Sequence, residues 1–394
     1  MIRIALIRIA IFSVLVAMSW TIPQAACLAQ PPETAKPSTS KILAAIESGL
    51  DYLISKQSPK DGGWHSQQYG QLKQGAASSG LVIYCISHTP ESLLKERQTE
   101  IARAKGFVRR RIQKEGCVGN QDGSLDYPVY ATAMLLTAHL KMDLGISDAD
   151  ARRMLNYLLT SQCSKQNGFA KGNVNSGGWD ILGQSGPTFG KTPGANVSVT
   201  FYATEAIKQF EDQNPKDQEP RSRMVQENAK QWGLRISQES GDGGFYFSAI
   251  KSSPLNKAGA KHSGVPNSYG SATHDGIGIL LNTGTELKNS QLQKSIEWTN
   301  RNSDLIVPGF EKQGKDAIWP NALQYYYLAA YSRNISTMRD SKSRANKIIT
   351  HLLQAQKKNG SWQNRASNMR EDDPLIATSF ALIALCNLHQ EKTK

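Results

Sequence analysis

Three groups of residues could do chemistry: an acid cluster, a His-Asp pair and a run of aromatics. Glu371-Asp372-Asp373 places three carboxyls at consecutive positions, where mutual repulsion can hold one of them protonated as a proton donor. Pro374 follows at once, so the same residues also read as a helix start, with Asp373 as N-cap and Pro374 in the first helical position. Asp126-Tyr127-Pro128 invites the same capping, and Asp122 lies on a Gly-containing turn. His274-Asp275 follows Tyr269-Gly-Ser-Ala-Thr273 near a helix start, where imidazole and carboxylate could act as acid and base. Adjacent helical residues diverge by about 100°, which works against both reaching one substrate atom and favours packing. Trp319, Tyr325, Tyr326 and Tyr327 could wall an apolar or sugar-stacking surface, or serve as core.

These residues must be held by helices, which come in two kinds. Lys41–Lys56, Glu100–Gln113, Asp148–Ser161, Val225–Ser237, Gln291–Asn300 and Arg344–Ala355 carry charge on one face and apolar side chains on the other. Ala76–Ser87, Val129–Leu140, Ser198–Phe210, Ser271–Leu281, Asn321–Tyr331 and Ile376–Leu388 are rich in Ala, Ser, Thr and Leu with few charges. The first set should lie outside and the second be buried on most sides. Six such pairs suffice to close a double-layered ring, an all-α (α/α)6 toroid over residues 41–390.

A recurring turn joins the members of a pair: Gln57–Trp64, Gln162–Phe169, Gln238–Phe245 and Gln356–Trp362. Gly49-x-x-Tyr52-Leu53-x3-Gln57-x4-Gly62-Gly63-Trp64, Tyr157-Leu158-x3-Gln162 and Gln356-x3-Gly360-x-Trp362 resemble the Gln-Trp repeats of squalene–hopene cyclases and protein prenyltransferase β subunits. Within that α/α-toroid superfamily the chain is most similar to bacterial prenyltransferase/squalene oxidase repeat proteins, on Asp242-Gly-Gly-Phe-Tyr246, Ser268-Tyr-Gly-Ser-Ala-Thr273, Pro308-Gly-Phe310 and Asp373-Pro-x-x-Ala-Thr378. The likeness spans about residues 42–389, with repeats two and five degenerate. The turns are structural: Gly allows a tight helix exit, the Gln amide bonds free backbone groups, and the aromatic covers the junction.

The resemblance implies an apolar or isoprenoid-like ligand in the central cavity, but not a known reaction. Squalene–hopene cyclases protonate their polyene with an Asp-x-Asp-Asp motif, whereas here the order is Glu-Asp-Asp-Pro and the spacing to Thr378 is too long. The Asp-x-Cys zinc pair, the Asp-Asp-x-x-Asp magnesium motif and the Cys-Gly-Glu-Gln thioester are missing, so no cofactor or metal is expected. Every outer-to-inner connection should open on one mouth, where helix N-termini favour negative charge. Two connections, Cys163–Val197 and Tyr246–Asn267, are long enough to rim it. The expected cavity or rim residues are Trp179, Tyr269, His274, Trp319 and Tyr326, with His274, Asp275, Asp372 and Asp373 as weak catalytic candidates. A non-catalytic scaffold for an envelope protein partner is the alternative reading. Another is an enzyme on anionic polysaccharide using Asp122, Asp126 or Asp275.

Arg3 and Arg8, the apolar stretch Ile9–Ile22 and small residues to Ala29 read as a secretory signal over 1–29, with a flexible lead-in over 30–40. The product would be periplasmic or extracellular, with no transmembrane helix in the mature chain; a lipoprotein cut before Cys27 is the weaker alternative. The net charge of +13 is dispersed, and the one dense run, Arg109-Arg110-Arg111, lacks interleaved aromatics, which excludes a nucleic-acid site. Four cysteines remain after cleavage. Cys85-x-x-His88 and Cys386-x-x-His389 end inner helices one and six, which a closed ring makes neighbours. The pattern predicts Cys85 and Cys386 close together, as a disulfide or a buried thiol pair, with Cys117 and Cys163 as a second candidate bridge. Zinc on the two Cys-His pairs is the remaining alternative.

Overall fold

A computed structural model describes residues 37–120, 126–170, 172–183, 194–215, 220–310 and 318–393. Twelve principal helices form six consecutive pairs. The outer members are α1 (Thr39–Ser55), α3 (Gln98–Arg111), α5 (Asp148–Ser161), α7 (Pro220–Ser240), α9 (Ser290–Arg301) and α11 (Ser341–Ala355). The inner members are α2 (Ala76–Ile86), α4 (Pro128–Met142), α6 (Val197–Gln213), α8 (Gly270–Asn282), α10 (Gln324–Arg333) and α12 (Pro374–Thr393). Each inner helix packs on the next, and α12 packs back on α2, so the ring closes. Among the described residues there is no β-strand, and no helix is long and apolar enough to cross a membrane.

Burial follows the composition. On α1 one stripe is buried, Ile42, Ala45, Ile46, Gly49, Leu50 and Leu53, whereas α2 is buried at nearly every position. Small residues let the inner helices approach closely: a Cβ on Gly80 would sit 3.3 Å from the Ala131 Cα. Polar first turns are capped from sequence-adjacent residues, Ser38 for α1, Ser147 for α5, Asn196 for α6 and Asn289 for α9.

The turns work as clamps between successive repeats. Gln57 Nε2 donates to Gly62 O (2.9 Å) within its own turn and to Glu100 O (2.8 Å) of the next outer helix. Gln162 likewise reaches Gly177 O (2.9 Å) and Val225 O (2.8 Å). Gln356 reaches Gly360 O (2.9 Å) and Ala45 O (2.9 Å), tying repeat six to repeat one. The Trp indoles hold the preceding helix: Trp64 donates to Leu53 O, Trp179 to Leu158 O and Trp362 to Leu352 O, at 2.7 to 2.8 Å. Gly62 and Gly360 need positive φ (+82° and +84°) and press on the next outer helix, where any Cβ would lie under 2.5 Å from a carbonyl oxygen.

Two turn assignments need correction. In repeat three the clamp aromatic is Trp179, because residues 164–176 are an insertion inside the turn, and Phe169 only packs nearby. In repeat four Gln238 is exposed, since α7 runs on to Ser240. Ser237 takes its place, donating to Gly243 O (2.9 Å) and accepting from Gln291 of α9 (2.7 Å). Phe245 does close that turn, fully buried against Gly276.

Cys85, Cys117, Cys163 and Cys386 are all buried free thiols. Cys386 lies near enough to Cys85 to add to the cost that burial sets on ionising the Cys85 thiol, and burial pushes the Cys386 thiol up to about 12. They form the buried thiol pair of the two alternatives, without a bond. The Cys117–Cys163 bridge is absent: Cys163 is held in its own repeat's turn, donating its N–H to Gly178 O. Both ring nitrogens of His88 meet protein groups, Nδ1 the Tyr84 carbonyl (2.8 Å) and Nε2 Lys141 Nζ (2.7 Å).

Candidate functional site

The hole of the ring has two ends of opposite character. A register rule sets the first. In five repeats a hydroxyl in the first turn of the inner helix accepts the turn's backbone N–H: Ser79 from Trp64, Thr132 from Val118, Thr200 from Trp179, Thr273 from Phe245 and Thr378 from Trp362. That hydroxyl points out, so the residues two before and two after it, four apart on one helix face, point in. These pairs are Ala77 and Leu81, Tyr130 and Met134, Ser198 and Tyr202, Ser271 and Asp275, Ile376 and Phe380, and all ten line a central chamber of about 370 Å³. Tyr127, Tyr269, Trp319 and Tyr326 complete its aromatic wall, and Phe247, Leu255 and Lys257 of the Tyr246–Asn267 connection rim it.

Asp275 occupies the wall position that Leu81, Met134, Tyr202 and Phe380 hold in other repeats. Its Oδ2 accepts from the Tyr326 hydroxyl (2.5 Å), which also meets Ser198, and its Oδ1 accepts from Arg333 (2.7 Å). Burial raises its pKa to about 6 against the pull of the Arg333 guanidinium and the phenol. Arg333 is itself buried, stacked 4.0 Å over Phe201 and donating to the Tyr202 hydroxyl (3.3 Å). On its far side a polar cavity of about 310 Å³ is lined from the inner-helix C-terminal ends, including Lys141, Glu205, Asn282 and Asn387. The Asp275–Arg333 pair therefore separates an apolar chamber from a polar vestibule.

The expected mouth of free helix N-termini is largely closed by carboxylates. Glu371 is fully buried and accepts from the N–H groups of Tyr325 (3.0 Å) and Tyr326 (2.8 Å) and from Asn364 Nδ2 (2.7 Å). Burial pushes it up to about 8, although its three N–H donors favour ionisation. Asp126 does not cap its own helix; it accepts from Ala77 N (3.1 Å) of α2. Asp373 is the cap of α12, accepting from Leu375 N (2.9 Å) and Ser66 Oγ (2.6 Å). Asp372 accepts from the Tyr69 hydroxyl (2.5 Å). The acid cluster thus joins repeats one, five and six.

Of the residues expected at the cavity, Tyr269, Trp319 and Tyr326 line the chamber. Trp179 is fully buried in its clamp and does not reach it. His274 lies behind the wall, stacked on Tyr331 at 4.6 Å, and burial with Arg333 and Arg344 pulls its pKa down to about 3. It stays neutral and diverges from Asp275, as the helical rotation requires. Asp122, Cys27 and the segment 1–29 lie outside the described residues. Arg333, Lys257, Tyr130 and Tyr202 were not singled out in the sequence. The spacing about Thr132 and Thr200 would have found the two tyrosines.

No protein-family model matches the chain, and no curated protein does. Solved structures match over nearly its whole length. The type II terpene cyclase MstE from Scytonema, in complex with geranylgeranyl dihydroxybenzoate, gives a TM-score of 0.54 at 12% identity, covering 89% of this chain and 98% of that one. The chain is an α/α toroid, the fold that it shares with these structures. Cellobiose 2-epimerase from Spirochaeta thermophila gives 0.55 at 13%, over 92% and 100% of the two chains. A possible member of the GH105 family from Salmonella enterica gives 0.53 at 10%, over 95% and 100%. At such identities the likeness speaks for the fold alone.

Proposed function

We propose that this toroid binds a long apolar, isoprenoid-like ligand in its central chamber. The observation that carries this reading is a void of about 370 Å³ on the ring axis, walled by aromatics and left unfilled by the described side chains. That volume lies within the range of about 300–1,000 Å³ for small-molecule pockets. The terpene cyclase of the same fold, in complex with a geranylgeranyl compound, supports a prenyl chain as the occupant. The acid chemistry favours binding over polyene protonation. Asp275 is paired with a guanidinium, and each carboxyl of Glu371-Asp372-Asp373 is engaged by backbone or side-chain donors. Export rests on the sequence pattern of residues 1–29, and places the ligand in the cell envelope or outside it.

Titration of geranylgeraniol, followed by tryptophan fluorescence, tests the reading. Saturable binding is expected, weakened by Trp319→Ala without loss of the fold. Absence of saturable binding would overturn it.

A further inference from the structure

Lys257 lines the chamber as a cation that has no carboxylate partner among the described residues. Two other lysines of the same connection find carboxylates, Lys251 with Glu239 (3.1 Å) and Lys261 with Asp242 (3.3 Å). Lys257 instead turns onto aromatic faces, its Nζ 3.9 Å from the centre of Phe247 and 5.8 Å from that of Trp319. Among the described residues its one hydrogen bond is a long one, 3.4 Å to Leu255 O, although an ammonium carries three donors. The acids of the chamber are committed elsewhere, Asp275 to Arg333 and Tyr326, Glu371 to two amides and Asn364. Among the described residues no carboxylate pairs with Lys257, and burial alone pulls its pKa down to about 8. An ammonium facing an apolar void without a counter-charge is costly, and an anion brought by a ligand offsets that cost.

We infer that Lys257 is a head-group anchor, so that the chamber takes a long-chain ligand with an anionic oxygen head, a carboxylate or a phosphate, seated against Nζ. This rests on the chamber being a ligand site and adds to it the class of ligand. The cation–π contacts hold the ammonium at the rim while the chain lies along Tyr130, Tyr202 and Phe380 inside.

Three probes sharing one tail separate the two readings: geranylgeraniol, geranylgeranoic acid and geranylgeranyl monophosphate, titrated into the full chain at pH 7. The wild type should bind one or both anions at least about tenfold more tightly than the alcohol, the value of a charge-assisted contact. Whichever anion leads identifies the head. Lys257→Met should bring the anions down to the alcohol's affinity, and Lys257→Arg should restore the preference. In the wild type the preference should fade as pH rises from 7 to 10 and the lysine loses its proton, while alcohol binding stays level. Equal binding of all three probes by the wild type overturns the anchor, as does a preference that survives Lys257→Met. Binding of none of the three sinks the chamber reading itself.

Discussion

Trp362 and Trp319 are the same residue type in the same ring, and the structure uses them in opposite ways. Trp362 is fully buried, donates its indole N–H to Leu352 O and packs where Gly49 leaves room for it. Trp319 makes part of the chamber wall and stays partly exposed. The turn layer repeats the same clamp hydrogen bonds around the ring. The chamber wall departs from the repeat, with Asp275 where other repeats carry Leu81, Met134, Tyr202 and Phe380. Regularity marks what holds the ring together, and the departures mark where a ligand would meet it.

The sharpest way to break this contrast is to truncate both tryptophans. Trp362→Ala should cost about 3–5 kcal/mol in denaturant unfolding, while Trp319→Ala should cost about 1 kcal/mol or less and act on ligand binding. Comparable losses would erase the distinction. Next in size is Arg333→Met, which leaves Asp275 buried without its counter-charge and should destabilise by about 3 kcal/mol or more. Adding Asp275→Leu, the residue type of position 81, should recover most of that loss, because no buried charge then remains unpaired.

Smaller effects sharpen the turn side. Gln356→Leu removes both clamp bonds, including the one to Ala45, and should cost about 2 kcal/mol. A pH series reads Glu371. Its pKa rises from the ordinary 4.5 to about 8, so between those values the folded protein keeps a proton that the unfolded chain has released. The resulting stability is full below 4.5 and is lost as pH rises through 8. His88 and His274, both pulled down to about 3, oppose this near pH 6.5, where the unfolded imidazoles are half protonated, and drop out above about 7.5. Unfolding free energy should therefore fall between pH 6.5 and 8 by about 1 kcal/mol, and Glu371→Gln should flatten the slope. Gln238→Ala, at an exposed position outside its clamp, should change stability by about 0.5 kcal/mol or less.

The helices and the ring were readable because outer and inner segments differ in charge along their whole length. Closure was readable too, since Gln356-x3-Gly360-x-Trp362 repeats the spacing that makes Gln57 a bridge to the next unit. The turn of repeat three was misplaced because an insertion sets the true Gly177-Gly178-Trp179 beyond a nearer Gly168-Phe169. The match to Gly62-Gly63-Trp64 was the available signal. Lys257 and Arg333 left no local trace. Their roles depend on what faces them across the ring, Phe247 and Trp319 for one, Asp275 and Tyr202 for the other, and sequence spacing does not encode that. The acid cluster was legible in part: Asp373 caps its helix as its place before Pro374 indicates, whereas Glu371 and Asp372 serve groups of neighbouring repeats that spacing does not reveal.

The central claim is that the void on the axis is a site for an apolar chain. Calorimetric titration of geranylgeraniol into the wild type and into Ala77→Phe, which fills the chamber from α2, tests it directly. The account predicts one saturable site in the wild type and none in Ala77→Phe, with both proteins melting alike. Undiminished binding to the blocked ring would place the ligand elsewhere and contradict it.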